Sequence, residues 1–278
     1  YNLTRKVDMK YAIKAFVIIS IFVFCHYVMR QFWGEGWSSW LSELDNLTGI
    51  LFTPAKYTFL YGPLVIAAII LFKQSEPFET IGLNSSGFIN YALAAIICCT
   101  PMAIGYGFLS DELNLSIPAI ITGSVYAGFF EELIFRAALF GVLFKYCRWG
   151  FVPAALISSV IFGLGHIYQG NDAISALMAV AITTVAGTWF AWLYCECGYR
   201  IWFPMWMHIF MNAAYGIFGM SGGAVGDLQG NLFKATAIVL SIVYVEMLIR
   251  RGKQREVTLS KLFQCTKNGL YTQQANLN

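Results

Sequence analysis

The stretch IPAIITGSVYAGFFEELIFRAALFGVLFK (Ile117–Lys145) decides the fold class. It is long enough to cross a bilayer, because about 20 mainly apolar residues span the hydrocarbon core. Its centre nevertheless reads Phe129-Phe130-Glu131-Glu132-Leu133-Ile134-Phe135-Arg136. An ionisable side chain at that depth costs at least about 2.5–3.5 kcal/mol on insertion scales, so it persists only when paired or when it works. Glu132 and Arg136 are four apart, share one helix face and can pair. Glu131 is turned about 100° away from Glu132. It has no partner at helical spacing and needs one from another helix.

Seven further apolar runs flank this one, at 12–30, 50–72, 88–109, 151–169, 173–195, 201–219 and 232–250. Polar or glycine-rich breaks separate them, among them Gln74-Ser75-Glu76-Pro77, Ser110-Asp111-Glu112, Gly170-Asn171-Asp172 and Ser221-Gly222-Gly223. Composition agrees. The chain of 278 residues is 58% hydrophobic and 12% charged, where soluble domains carry about 25% charged residues. This leaves no room for a large soluble domain. The expectation is an all-α membrane protein, a bundle of about eight transmembrane helices forming one polytopic domain over 1–250. A polar basic tail follows over 251–278. No small-residue cleavage site follows the first run, so it reads as an uncleaved helix.

Cytoplasmic loops of membrane proteins are rich in Lys and Arg. With eight spans and the N-terminus inside, fourteen of the eighteen basic residues fall on the cytoplasmic side, including Lys10, Lys14, Lys145, Arg148, Arg200 and the group from Arg250 to Lys267. Both termini are therefore expected in the cytoplasm, with the tail touching anionic lipid. Trp33–Leu47 carries three Trp and reads either as an interfacial helix on the outer face or as a loop. The seven Cys show no disulfide framework and read as buried or interfacial thiols. A net charge of +3 gives no reason to expect nucleic acid as a partner.

Two of the three His lie in apolar runs with other polar groups. His166 closes Phe162-Gly163-Leu164-Gly165-His166, and His208 shares a face with Asn212 in His208-Ile209-Phe210-Met211-Asn212. His26 has no polar partner at useful spacing and reads as structural. Two imidazoles, an amide and an uncompensated carboxylate point to a polar site inside the membrane. A rise of about 1.5 Å per residue puts His166, Glu131 and His208 at depths spread over about 10 Å, too far for direct contact unless helices are broken or shifted.

Glu131-Glu132-x-x-x-Arg136, then Phe162-x-x-x-His166, then His208-x-x-x-Asn212, in that order on three helices, resemble the CPBP family. These are the CAAX proteases and bacteriocin-processing enzymes, also called the Abi family. Phe78-Glu79-Thr80-Ile81-Gly82-Leu83 is similar to a segment upstream of those motifs, so the resemblance covers about 78–219. It implies an intramembrane endopeptidase acting on membrane-associated proteins or peptides, either prenylated or bearing a leader. By motif position, Glu131 would activate water and His166 would help hold it. His208 and Asn212 would form the oxyanion site, with Glu132 and Arg136 as structural support.

The chemistry suits those roles. Apolar surroundings make a carboxylate a stronger base, and imidazole and amide N–H groups suit a developing oxyanion. No metal cofactor is expected. The alternative is zinc on Glu131, His166 and His208, which meets the three-ligand requirement. That alternative lacks a His-Glu-x-x-His motif and would occupy an oxyanion donor. Two other functions fit the same charges: a non-proteolytic scaffold, regulator or immunity protein of the same fold, and a proton-coupled transporter. The absence of an internal repeat weighs against the transporter. The expected location is the bacterial inner membrane, with the lipid bilayer and a membrane-associated substrate as partners.

Overall fold

The structure is a computed structural model that describes residues 9–34, 46–72 and 76–263. Eight long helices occupy those residues, with no β-strand among them. α1 runs Met9–Val23 and continues π-helically through Phe24–Gly34. α2 is Asn46–Leu71 and α3 is Phe88–Leu109. α4 is continuous over 117–146, with α-helical turns at Ile117–Ile120 and Ala127–Glu131 and π-helical turns at Ile121–Tyr126 and Glu132–Tyr146. α5 is Phe151–Leu164, α6 Ala173–Glu196, α7 Trp202–Ile217 and α8 Leu228–Arg250.

Five of these helices (α1, α2, α3, α6 and α8) are long and apolar enough to cross a membrane. The others are the composite α4 and the shorter α5 and α7, of 14 and 16 residues. The molecule is an all-α, multi-pass integral membrane protein. The stretch at 33–47, read as an interfacial helix or a loop, falls mostly on residues outside those described.

α4 is the axis of the bundle. Every residue from Glu132 to Phe144 is buried, and α1, α2, α5, α6 and α7 pack around the helix. Its charges therefore face protein rather than lipid, which resolves their insertion cost. Small residues let backbones approach closely, as expected where lipid supplies no hydrophobic drive between helices. A Cβ at Gly128 would lie 2.6 Å from Ile209 Cγ1 and 3.1 Å from Ile209 N, so this glycine lets α4 touch α7. A Cβ at Gly163 would lie 2.3 Å from Thr184 Oγ1 and 2.7 Å from Val180 O, which brings α5 against α6.

Two expectations are corrected here. The fifth apolar run does not continue as a helix to 169. α5 stops at Leu164, the His166 N–H closes back on Gly163 O at 2.8 Å, and one 3-10 turn follows at Ile167–Gln169. Ile167 and Tyr168 keep the run apolar, so hydropathy does not register the break. His26 does have a polar partner. Its Nδ1 lies 2.8 Å from Tyr61 Oη on α2, a contact between helices that spacing within one helix cannot show.

The described part of the tail, 251–263, folds back onto the bundle. The buried Glu196 carboxylate at the end of α6 accepts the backbone N–H groups of Glu256 and Val257 at 3.1 and 2.9 Å. The Tyr199 hydroxyl donates to Glu256 at 2.9 Å, and the Val152 N–H at the start of α5 donates to Leu262 O at 2.8 Å. A lipid contact of the tail beyond 263 concerns residues outside those described. The six described cysteines are all buried.

Candidate active site

The approach of α4 and α7 at Gly128 sets the site, because Glu131 and Glu132 follow one turn later on α4 and face His208 on α7. Glu132 has no exposed side-chain surface. Its Oε1 accepts from His208 Nδ1 at 2.9 Å, and its Oε2 lies 3.1 Å from Arg136 Nε. The second contact lacks hydrogen-bond geometry, and the guanidinium nitrogens have no hydrogen-bond partner among the described residues. Arg136 instead lies over aromatic faces, with its guanidinium carbon 4.4 Å from the Phe162 ring centroid and 5.3 Å from that of Phe190. Cation–π attraction of this kind reaches about 2 kcal/mol when desolvated. Glu132 is thus held between one cation and one imidazole.

That contact fixes the imidazole. A carboxylate only accepts, so His208 Nδ1 must carry hydrogen. Its Nε2 then points to Glu131, whose Oε2 is 3.7 Å away and whose side chain is 20% exposed. Phe190 stacks on the His208 ring at 5.2 Å and stops it from turning. The resulting order is Arg136, Glu132, His208, Glu131, with buried charge at one end and an accessible carboxylate at the other. The depth estimate that kept Glu131 and His208 apart is corrected. It assumed straight helices of equal rise, whereas α4 carries wide turns and α7 has only 16 residues.

Glu131, His166, His208 and Asn212 all line one cavity of about 600 Å³, within the usual range of about 300–1,000 Å³ for ligand pockets. His166 sits just past the end of α5. Its Nδ1 lies 2.8 Å from Phe162 O, which leaves Nε2 for the cavity. It makes no hydrogen bond or ion pair with Glu131 or His208. Asn212 Nδ2 donates to Gly123 O on α4 at 3.1 Å, and an amide nitrogen carries a second N–H. Met102, Ile120, Ile182 and Met211 make much of the wall apolar.

Two cavity residues escaped the sequence reading. Tyr57 on α2 stacks on Phe130 at 4.6 Å with planes 2° apart. Lys234 on α8 brings an ammonium to the cavity wall and donates to Ala224 O at 3.2 Å. Neither lies in a motif.

The zinc alternative requires three converging donors. Glu131 and His208 converge, but His166 does not join them. Among the described residues no group of three or more His, Cys, Asp or Glu is placed to hold a metal ion.

Residues 113–214 match the family described as "Type II CAAX prenyl endopeptidase Rce1-like". Over 93 residues the chain is 39% identical to "Putative membrane peptidase YdiL" of Bacillus subtilis (strain 168). That alignment covers 34% of this chain and 34% of the relative, so the chain spans about a third of the curated relative it matches. No solved structure matches. The segment that matches the family holds Glu131, Glu132, Arg136, His166, His208 and Asn212, and over that segment the chain is similar to the Rce1-like endopeptidases.

Proposed function

We propose that this protein is an intramembrane endopeptidase that hydrolyses peptide bonds with water activated by Glu131. The observation that carries the reading is the accessible carboxylate of Glu131, 3.7 Å from an imidazole whose orientation Glu132 fixes, at the wall of a cavity inside the bundle. Glu131 takes a proton from water, and the resulting hydroxide adds to the peptide carbonyl carbon. The oxyanion that forms accepts hydrogen bonds from the Asn212 amide and from His208. When the C–N bond breaks, Glu131 returns its proton to the leaving nitrogen, so one water yields a carboxylic acid and an amine. His166 Nε2 helps hold the water.

This scheme sets a condition on His208. Nδ1–H is committed to Glu132, so Nε2 can donate only when the ring is doubly protonated. General acid–base help contributes about 10²–10⁴-fold and each oxyanion donor about 10²–10³-fold. The substrates are membrane-associated proteins or peptides, and the membrane is that of a bacterial cell, consistent with the source of the curated relative.

The test is to reconstitute the protein in detergent and offer a panel of quenched peptides, prenylated and leader-bearing, with and without chelator. Mass spectrometry should find one new carboxylate and one new amine per turnover, unaffected by chelator. Lost activity with chelator, restored by zinc, would overturn the metal-independent mechanism. A well-folded protein that cleaves nothing would favour a non-proteolytic scaffold.

A further inference from the structure

The site lies nearer one end of the bundle. The helices alternate in direction, as contacts at both ends show. Lys14 on α1 bonds Leu71 O at the end of α2, and Arg148 before α5 bonds Tyr11 on α1. At the opposite end, Asn114 N–H before α4 donates to Ile217 O at the end of α7, and Ala224 N–H before α8 donates to Gln169 after α5. Every loop residue lining the cavity belongs to that second end: Asn114, Tyr168, Gln169, Gly223 and Ala224. Among the described residues, none from the loops at the first end lines it.

Charge separates the same two ends. Among the described residues, ten Lys and Arg cluster at the first end, among them Lys14, Lys145, Arg148, Arg200, Arg251 and Lys261. The second end holds Arg30, Lys56 and Lys234, together with Asp111, Glu112, Asp172 and Asp227. The Lys/Arg bias of short loops and helix flanks sets orientation, and the richer side is cytoplasmic.

From these two asymmetries we infer that the cavity opens on the non-cytoplasmic face of the membrane, so the bond it receives lies in a polypeptide presented at the outer leaflet. The substrate class is an exported peptide, or the outer flank of a membrane protein, with apolar residues to lie along Met102, Ile120, Ile182 and Met211. The C-terminus of a prenylated protein on the cytoplasmic leaflet faces the other end, whose described loops do not reach the cavity. The substrate assignment rests on the endopeptidase reading; the sidedness does not.

The experiment is thiol labelling in whole cells with a membrane-impermeant maleimide. Asn171→Cys reports the cavity end and Ser260→Cys the other, and both positions are exposed in the fold. The native thiols among the described residues are buried, which keeps background low. Asn171→Cys should label in intact cells and Ser260→Cys only after permeabilisation. Labelling of Ser260→Cys in intact cells, or of Asn171→Cys only after permeabilisation, overturns the inference. A protein that labels as expected but cleaves no peptide, even one added to the outside of right-side-out vesicles, overturns the endopeptidase reading and leaves the orientation standing.

Discussion

Replacing Glu132 with Gln separates two roles that a loss of activity alone would confuse. Glu132 is completely buried, with Arg136 Nε at 3.1 Å and His208 Nδ1 at 2.9 Å. Neutralising it leaves the Arg136 cation in the core with aromatic rings in place of a counter-ion. Removing one partner of a buried pair costs about 3–5 kcal/mol, a large part of the about 5–15 kcal/mol that stabilises a typical protein. Removing both partners by hydrophobic replacement is often neutral. The double variant Glu132→Gln/Arg136→Met should therefore regain most of the stability that Glu132→Gln loses. It should not regain activity, because a Gln can present either its oxygen or its amide nitrogen to Nδ1 and no longer dictates where the imidazole carries hydrogen. Loss of one oriented oxyanion donor predicts a fall in kcat of about 10²–10³-fold. The assay pairs thermal unfolding in detergent with peptide cleavage on wild type, both single variants and the double. Wild-type turnover by the double variant would refute a positioning role for Glu132. Equal stability of Glu132→Gln and wild type would refute its role as counter-ion to Arg136.

Other outcomes follow from the same geometry. Asn212→Ala should lower kcat by about 10²–10³-fold with little change in KM, whereas a rise in KM alone would mean that Asn212 binds substrate rather than transition state. Gly163→Ala should cost about 1–3 kcal/mol by overpacking, since its Cβ would meet Thr184 Oγ1 at 2.3 Å; an unchanged unfolding temperature would show that α5 and α6 separate freely. Glu196→Ala removes a buried carboxylate from two backbone N–H groups, and hydrogen bonds to charged groups are worth about 1.5–3 kcal/mol each. Limited proteolysis should then cut within 251–263 while sparing the helices, and unchanged resistance would show that other contacts hold the segment.

Much of the fold was legible because hydropathy reports burial in lipid directly. All eight apolar runs are helical, and the charges of the fourth marked it as the helix that other helices must surround. The pairing of Glu132 with Arg136 followed from spacing within one helix. What spacing could not supply was the contacts between helices. Depth arithmetic could not know that α5 ends at Leu164 or that Gly128 draws α4 onto α7, so it separated Glu131 from His208. Glu132 also meets His208, and no rule of spacing could pair residues 76 positions apart. The tail shows the same limit. Arg250 to Arg255 read as a basic extension, but the partner that holds this segment to the bundle is Glu196, which looked like an ordinary residue at a helix end.

The central claim is that Glu131 activates water. The most direct measurement is kcat/KM for wild type and Glu131→Gln on one cleaved peptide in metal-depleted buffer, with matched unfolding curves. The account predicts a fall of at least about 10²–10⁴-fold with both proteins equally folded, because Glu131 is partly exposed and its one ion-pair contact among the described residues is with His208 at 3.7 Å. Comparable kcat/KM in the two proteins would contradict it.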